Sequence, residues 1–290
     1  MNLDIEKFLE ETAPKIDKII EKYIPRKFSK ESVLFKVNQP LYSYNLEPLN
    51  KAIAEPIWDM LDRGGKRWRP AMFMLICEAL GKERDYCLDF SIIPEVIHNG
   101  TLIIDDIEDS SELRRGKPCT HKIFQLDIAV NAGNGMYYLP LLPIMVNRQR
   151  LHLEIQRNIY EIYVQEMINL SMGQAMDIAW HRGMANADSV SEQDYLQMCA
   201  YKTGTLARMS AKLAAVLSGA DNQLTEKLGR LAECIGVAFQ MQDDVLDLTG
   251  QEFAKKKGGV GQDISEGKRS LMVIYTLQKA NLSDKKRLIE

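Results

Sequence analysis

Apolar residues recur at three- and four-residue intervals along most of the chain. Ile5, Phe8, Leu9, Ile16, Ile19, Ile20 and Tyr23 lie on one face of an amphipathic helix that Pro25 ends. Arg26–Pro48 carries Pro40 and Pro48, shows no clear period and reads as a connecting segment. From Leu49 onward the pattern predicts helices over Leu49–Asp62, Pro70–Leu80, Tyr86–Glu108, His121–Asn147, Leu151–His181, Ser191–Ser218 and Asn222–Leu248, with a last one starting near Arg269. Pro94 is expected to kink the third, and Pro140 and Pro143 the fourth. Ser191-Glu192-Gln193-Asp194 reads as a helix start with an N-cap serine. No segment alternates with period two, so there is no case for a sheet. These helices are long and lack heptad regularity. The expected fold is therefore all-α, one domain over 1–290, with mostly antiparallel helices packed around a central cavity. No repeat, low-complexity tract or composition shift divides it.

Composition narrows the function classes. A hydrophobic content of 46% is that of a globular protein. The net charge of −3 gives no general attraction to nucleic acid or an acidic membrane surface, so any anion affinity must come from local clusters. The five cysteines are scattered without a C-x-x-C pair, as expected of free thiols in a reducing compartment. The N-terminus does not read as a signal peptide, and no uninterrupted apolar run reaches the ~18 residues of a membrane span. The expected location is cytoplasmic.

The chemistry lies in clusters of charge. Asp105-Asp106-Ile107-Glu108-Asp109 places three aspartates on neighbouring positions of one helical turn, and the spacing returns at Asp243, Asp244 and Asp247. Carboxylates so close repel one another unless water or a hard cation neutralises them, and carboxylate with water suits Mg²⁺. Cations accompany both clusters. Gly64-Gly65-Lys66-Arg67-Trp68-Arg69-Pro70 sets three of them and two glycines at a helix start, where backbone N–H groups favour an anion. Arg114 and Arg115 add bidentate phosphate donors. Lys202-Thr203-Gly204 interrupts a helical run. Lys255-Lys256-Lys257-Gly258-Gly259 and Gly267-Lys268-Arg269 form a second glycine-lysine stretch. Two carboxylate triplets and about three cationic sites suggest two diphosphate-bearing substrates, one held through metal and one mainly through Lys and Arg.

The order of these motifs resembles that of the trans-isoprenyl diphosphate synthase (polyprenyl synthetase) family, from about Leu61 to Leu271. Asp105–Gly116 is similar to the family's first aspartate-rich motif with its arginine pair, and Phe239–Asp247 to the second. Gly64-Gly65-Lys66, Arg69-Pro70 and Lys202-Thr203-Gly204 also match. The motifs are closest to those of geranylgeranyl diphosphate synthases. The resemblance implies the isoprenoid synthase fold, usually a homodimer, and prenyl transfer. An allylic diphosphate would bind through Mg²⁺ (three ions per site, Mn²⁺ as the substitute) bridged to Asp105, Asp109 and Asp243, with Asp106, Asp244 and Asp247 completing the metal set. Arg114, Lys202, Lys257 and Lys268 would hold its phosphates. Isopentenyl diphosphate would bind at Lys66, Arg69, His98 and Arg115, while Thr203 and Gln240 would flank the allylic cation.

Two departures stand out. The lysine that the family usually places two or three residues before Gly261-x-Asp263 is replaced by Gly258 and Gly259, which leaves Lys257 one position away. The chain also ends at Glu290 within what reads as a helix, whereas family members usually continue, so the final helices are expected to be truncated or absent. Chain length should be set by cavity depth. Gly100 and Thr101, before the first motif, lack the aromatic block of short-chain members, and Tyr137 and Tyr138 lie where a deeper floor would be, so the expected product is C20 or longer. His121, His152 and His181 share no metal-ligand spacing and read as structural or surface residues, and Gln174 and Asp177 are candidates to face the cavity. Two other functions compete. A terpene cyclase needs no second diphosphate site, which Lys66, Arg69 and Arg115 argue against. A regulatory subunit commonly loses an aspartate motif, and this chain keeps both.

Overall fold

A computed structural model describes residues 4–37, 39–250 and 259–289. The chain is helical almost throughout and divides into two compact units. The first comprises Met1–Glu112, Pro118–Tyr163 and Met209–Gly229; the second comprises Leu113–Lys117, Val164–Arg208 and Arg230–Glu290.

In the first unit, α1 (Ile5–Tyr23) starts at Asp4, whose carboxylate accepts from the Lys7 N–H at 3.2 Å, and stops two residues before Pro25 as predicted. The segment expected to be a plain connection contains one helical turn, Val33–Val37. The predicted 49–62 helix begins earlier, at Leu46, and widens into a π turn over Asn50–Ala54 before α2 (Glu55–Asp62). After α3 (Trp68–Ala79) and a short helix at Arg84–Leu88, a 3-10 turn at Asp89–Ser91 leads into α4 (Ile92–Glu108). Pro94 thus sits in the first turn of α4, where its missing N–H has no intrahelical acceptor to lose, and it starts a helix instead of kinking one. The predicted 121–147 helix is broken at Gln125, whose φ of 73° is left-handed. It resumes as α5 (Leu126–Tyr138) and gives way to a 3-10 turn at Pro140.

Ile16, Ile20, Ile57, Met60, Ile92, Val96, Ile103, Ala132 and Met136 pack into the core of this unit. Full burial of each large apolar chain contributes about 1.5–3 kcal/mol. The close crossing of α4 and α5 depends on small residues. A Cβ at Gly100 would lie 2.7 Å from Met136 Cβ and 2.9 Å from the Gly133 carbonyl, and one at Gly133 would lie 2.8 Å from Ile104 Cδ1. Arg67 closes the unit. Held at φ 50°, it turns inward and its guanidinium donates to Asp17 (2.9 Å), Glu95 (3.0 Å) and the Leu61 carbonyl (3.0 Å). Glu95 in turn accepts from Asn99 at 3.1 Å. Of the three cations at the Gly64-Gly65 turn, this one serves the fold.

The second unit contains most of α6 (Leu153–His181), α7 (Glu192–Cys199), the start of α8 (Thr205–Leu217), most of α9 (Asn222–Thr249) and α10 (Leu271–Lys279). Ser191 caps α7 as predicted, in a reciprocal capping box with Asp194. The helix expected to run from 191 to 218 is not broken at Gly204; it widens into a π turn over Ala200–Gly204. Val190, Tyr195, Met198, Cys199 and Ile274 form the core, with Met176, Trp180, Val237 and Met241 against it. Arg208 is buried between Glu166 and Glu233, donating to both, an ion-pair network with no signature in the hydrophobic pattern. Two strands of two residues each, Leu113–Arg114 and Lys117–Pro118, are the only strands among the described residues. The stretch 84–108 is long and apolar enough to cross a membrane, but 72% of its most apolar window is buried inside the protein.

Breaking a buried ion pair by removing one partner costs about 3–5 kcal/mol. Arg67→Ala is therefore expected to lower the unfolding free energy by that order, read as a lower urea midpoint, whereas Lys66→Ala next to it should leave the midpoint unchanged. Equal midpoints for the two variants would contradict the assignment of Arg67 to the fold.

Candidate active site

The first aspartate cluster closes α4. Asp109 is the C-cap, its N–H bonded to the Asp105 carbonyl at 2.8 Å. Beyond it the Ser110 N–H reaches the Ile107 carbonyl (3.2 Å) and the Ser111 N–H the Asp106 carbonyl (2.9 Å), the Schellman pattern with Ser110 at φ 56° where glycine is usual. The helix end, and with it the direction of Asp105 and Asp109, is thereby fixed. Asp106 is fully buried, and its two neighbours are half-exposed. The second cluster occupies the last two turns of α9. Asp243 is half-exposed, while Asp244 and Asp247 are 5% and 1% exposed. Asp244 accepts from the Tyr195 hydroxyl at 2.7 Å and from Gln240 Nε2 at 2.8 Å. Asp247 accepts from the Asp263 N–H at 3.2 Å, and its carbonyl from the Gly261 N–H at 2.9 Å, which ties the residues after the second motif to the helix end.

Both clusters lie at the carbonyl end of a helix, where the macrodipole disfavours negative charge by about 0.3–1 kcal/mol per group. Neither helix has a basic residue in its last turn. Among the described residues, no three His, Cys, Asp or Glu side chains converge as a self-sufficient metal cage. Half-exposed carboxylates at a helix end suit Mg²⁺, which takes one or two carboxylates together with water and substrate phosphate oxygens. The half-exposed carboxylates are Asp105 and Asp109 in the first unit and Asp243 in the second.

The predicted cations differ in their surroundings. Lys66 is exposed after the left-handed Gly64. Arg69 is buried with its guanidinium 4.6 Å from the Trp68 ring centre, and its carbonyl accepts from Ser210 at 2.8 Å. His98 is half-buried, and its carbonyl accepts the Thr101 hydroxyl at 2.7 Å. Arg114 lies on the first short strand. Arg115 (φ 54°) and Gly116 (φ 78°) make the turn that follows, the paired left-handed residues of a type I′ hairpin. Lys202 donates to Asp177 at 2.5 Å, so Asp177 serves this lysine. Lys268 pairs with Glu266 at 2.7 Å and stands 3.9 Å from Asp263. Lys257 lies outside the described residues.

Lys202 and Thr203 project from the π turn, whose position depends on glycines that periodicity passes over. A Cβ at Gly173 of α6 would overlap the Lys202 nitrogen and lie 2.6 Å from the Tyr201 carbonyl carbon; one at Gly236 of α9 would lie 2.8 Å from Gly204 Cα. Thr203 and Gln240, predicted separately to flank a cation, are bonded to each other, the hydroxyl donating to Oε1 at 2.7 Å. Tyr195 escaped notice as one more aromatic on an apolar helix face. A glycine inside a long helical run was the available signal for Gly173 and Gly236.

The chain-length candidates also separate. Gly100 faces Met136 and Gly133, so it is a helix-packing residue, not an opening in a pocket wall. The Tyr137 ring reaches 3.3 Å from the Cβ position of Gly100, and burial, followed by the charges of Glu108 and Asp105, pushes its phenol above the usual range. Tyr138 is 67% exposed and points away from the core of its unit.

The comparisons with known proteins agree with this fold and these motifs. The model of the polyprenyl synthetase family matches residues 50–290. The short chain isoprenyl diphosphate synthase of Methanothermobacter thermautotrophicus is 32% identical over 230 residues, 79% of this chain and 68% of that protein. A geranylgeranyl pyrophosphate synthase of Geoglobus acetivorans is 35% identical over 219 residues, 76% of this chain and 66% of that one. The chain thus spans about two thirds of the length of these relatives. Among solved structures, the geranylgeranyl pyrophosphate synthetase of Pyrococcus horikoshii superposes with a TM-score of 0.81 at 30% identity, covering 99% of this chain and 79% of that one. The fold is that of the isoprenoid synthases, and the protein is a prenyltransferase. It belongs to the polyprenyl synthetase family.

Gly173→Ala tests the packing under Lys202. Overpacking against backbone costs about 1–3 kcal/mol, so the variant should melt lower and lose turnover, while Gly135→Ala, whose added Cβ meets nothing nearer than 3.9 Å, should keep its turnover. Wild-type turnover in Gly173→Ala would contradict the role given to the π turn.

Proposed function

We propose that the protein condenses isopentenyl diphosphate with an allylic diphosphate to give a trans-prenyl diphosphate of C20 or longer, and that both units act as one isoprenoid synthase domain. The observation that carries this reading is the pair of aspartate triplets built into helix C-terminal ends, where the macrodipole adds to their mutual repulsion. The names of the relatives support the C20 class.

In this reading Asp105, Asp109 and Asp243 hold Mg²⁺, and the buried Asp106, Asp244 and Asp247 support them. Bound Mg²⁺ supplies neutralisation of the departing diphosphate. Lys202, Lys268 and Arg114 bind the same phosphates, the two lysines exchanging Asp177 and Glu266 for phosphate oxygens. Lys66, Arg69, His98 and Arg115 bind isopentenyl diphosphate and aim its double bond. Thr203 and Gln240 present oxygen to the allylic carbons as the C–O bond breaks. The new C–C bond forms from the isopentenyl double bond, and the proton lost from the adjacent carbon goes to the released diphosphate. Lys257 is retained as a phosphate contact on the sequence alone. The floor of the product cavity is assigned to Tyr137, with Tyr138 left outside it.

The assembly in this reading is a cytosolic homodimer, which sedimentation of the soluble fraction at twice the chain mass would support and sedimentation at one chain mass would refute. Leu126, 56% exposed, and Val130 form an exposed apolar edge on α5 that a partner would cover.

Chromatography of products from isopentenyl diphosphate with each allylic primer is the direct test. The expected outcome is Mg²⁺-dependent C20 or longer product, abolished by chelation, with longer chains from Tyr137→Ala and an unchanged distribution from Tyr138→Ala. A product that stops at C15, or hydrocarbon formed without isopentenyl diphosphate, would overturn the reading.

A further inference from the structure

Four side chains from three segments of the second unit form one hydrogen-bonded line: Thr203 to Gln240, Gln240 to Asp244, and Tyr195 to Asp244. Its polarity is fixed from the acidic end. Asp244 is a carboxylate that accepts on both oxygens, Oδ1 from Gln240 and Oδ2 from Tyr195. Gln240 must therefore turn its amide NH₂ toward Asp244 and its carbonyl toward Thr203. The Thr203 hydroxyl must then spend its only hydrogen on that carbonyl, at 2.7 Å. What Thr203 has left to offer elsewhere is oxygen lone pairs, the character that favours a developing positive charge.

Tyr195 anchors the line. It is 1% exposed and packed in the core of its unit, so its hydroxyl has little freedom to move. Without that hydroxyl, Asp244 Oδ2 would lose a buried donor, and the carboxylate, still an acceptor for the Gln240 amide, would be freer to rotate about its Cβ–Cγ bond and to shift the amide and the Thr203 hydroxyl with it.

We infer that Tyr195 is a positioning residue for the transfer reaction: through Asp244 and Gln240 it sets the direction of the Thr203 hydroxyl, so that oxygen and not hydrogen faces the allylic carbons. The inference rests on the prenyl-transfer reading above. It assigns Tyr195 no contact with substrate and makes Asp244 first of all the orienting group of this line.

The test is steady-state kinetics of the full chain with Tyr195→Phe, Thr203→Val, Thr203→Ser and the double variant Tyr195→Phe/Thr203→Val. Tyr195→Phe should lower kcat about tenfold, which corresponds to one strong orienting contact, with the KM for isopentenyl diphosphate unchanged. Thr203→Val should lower kcat at least as much, and Thr203→Ser should restore it. The double variant should be no slower than the slower single one, because both changes break the same line. Effects that multiply in the double variant, a kcat of Tyr195→Phe within twofold of wild type, or a fall confined to KM would each overturn the relay. So would loss of kcat in Tyr195→Phe that merely tracks loss of folded protein by circular dichroism while Thr203→Val stays at wild-type kcat. A wild-type chain that transfers no prenyl group refutes the underlying reading itself, an outcome separate from an active wild type with an indifferent Tyr195→Phe.

Discussion

Carboxylates gathered at the carbonyl end of a helix are held there against an electrostatic cost. Asp105 and Asp109 close α4, and Asp243, Asp244 and Asp247 fill the last turns of α9, with no basic residue in the final turn of either helix. The macrodipole and the mutual repulsion act in the same direction. Each cluster is nevertheless built rigidly. Ser110 adopts a left-handed conformation to complete the Schellman end of α4, and Tyr195, Gln240 and the Asp263 N–H hold the second cluster. Structure that fixes like charges in place, and does not let them splay apart, is organised for a ligand that brings positive charge.

The same economy governs the cations. Lys202 rests on Asp177 and Lys268 on Glu266, so each is oriented by a carboxylate of its own unit. Arg67, from the same basic turn as Lys66 and Arg69, is committed to Asp17 and Glu95 in the interior. A short basic stretch thus divides its labour, and burial separates the structural member from the exposed Lys66.

How far the sequence could be read follows from what leaves a periodic trace. Long amphipathic helices and the repeated Asp spacing do, which is why the all-α fold and both acidic clusters were legible. The two π turns are not, because one extra residue in a helical turn shifts the apolar pattern too little to register. The Gln125 break and the first residue of the Arg115-Gly116 turn use left-handed residues other than glycine, which carry no compositional flag. Thr203 and Gln240 were each identifiable, but their hydrogen bond joins positions 37 apart and belongs to packing. Gly100 looked like missing bulk. It is in fact required where α4 meets α5, a distinction that only the neighbouring Met136 and Gly133 can make.

The central claim is that the aspartate clusters are completed by a divalent cation together with an allylic diphosphate. Calorimetric titration of the purified chain with an unreactive allylic thiolodiphosphate, in Mg²⁺ and in chelator, addresses it directly. The account predicts binding at least about tenfold tighter with Mg²⁺, with that gain lost in Asp105→Asn and in Asp243→Asn. Equal affinity in the two buffers, or a Mg²⁺ gain that survives both substitutions, would contradict it.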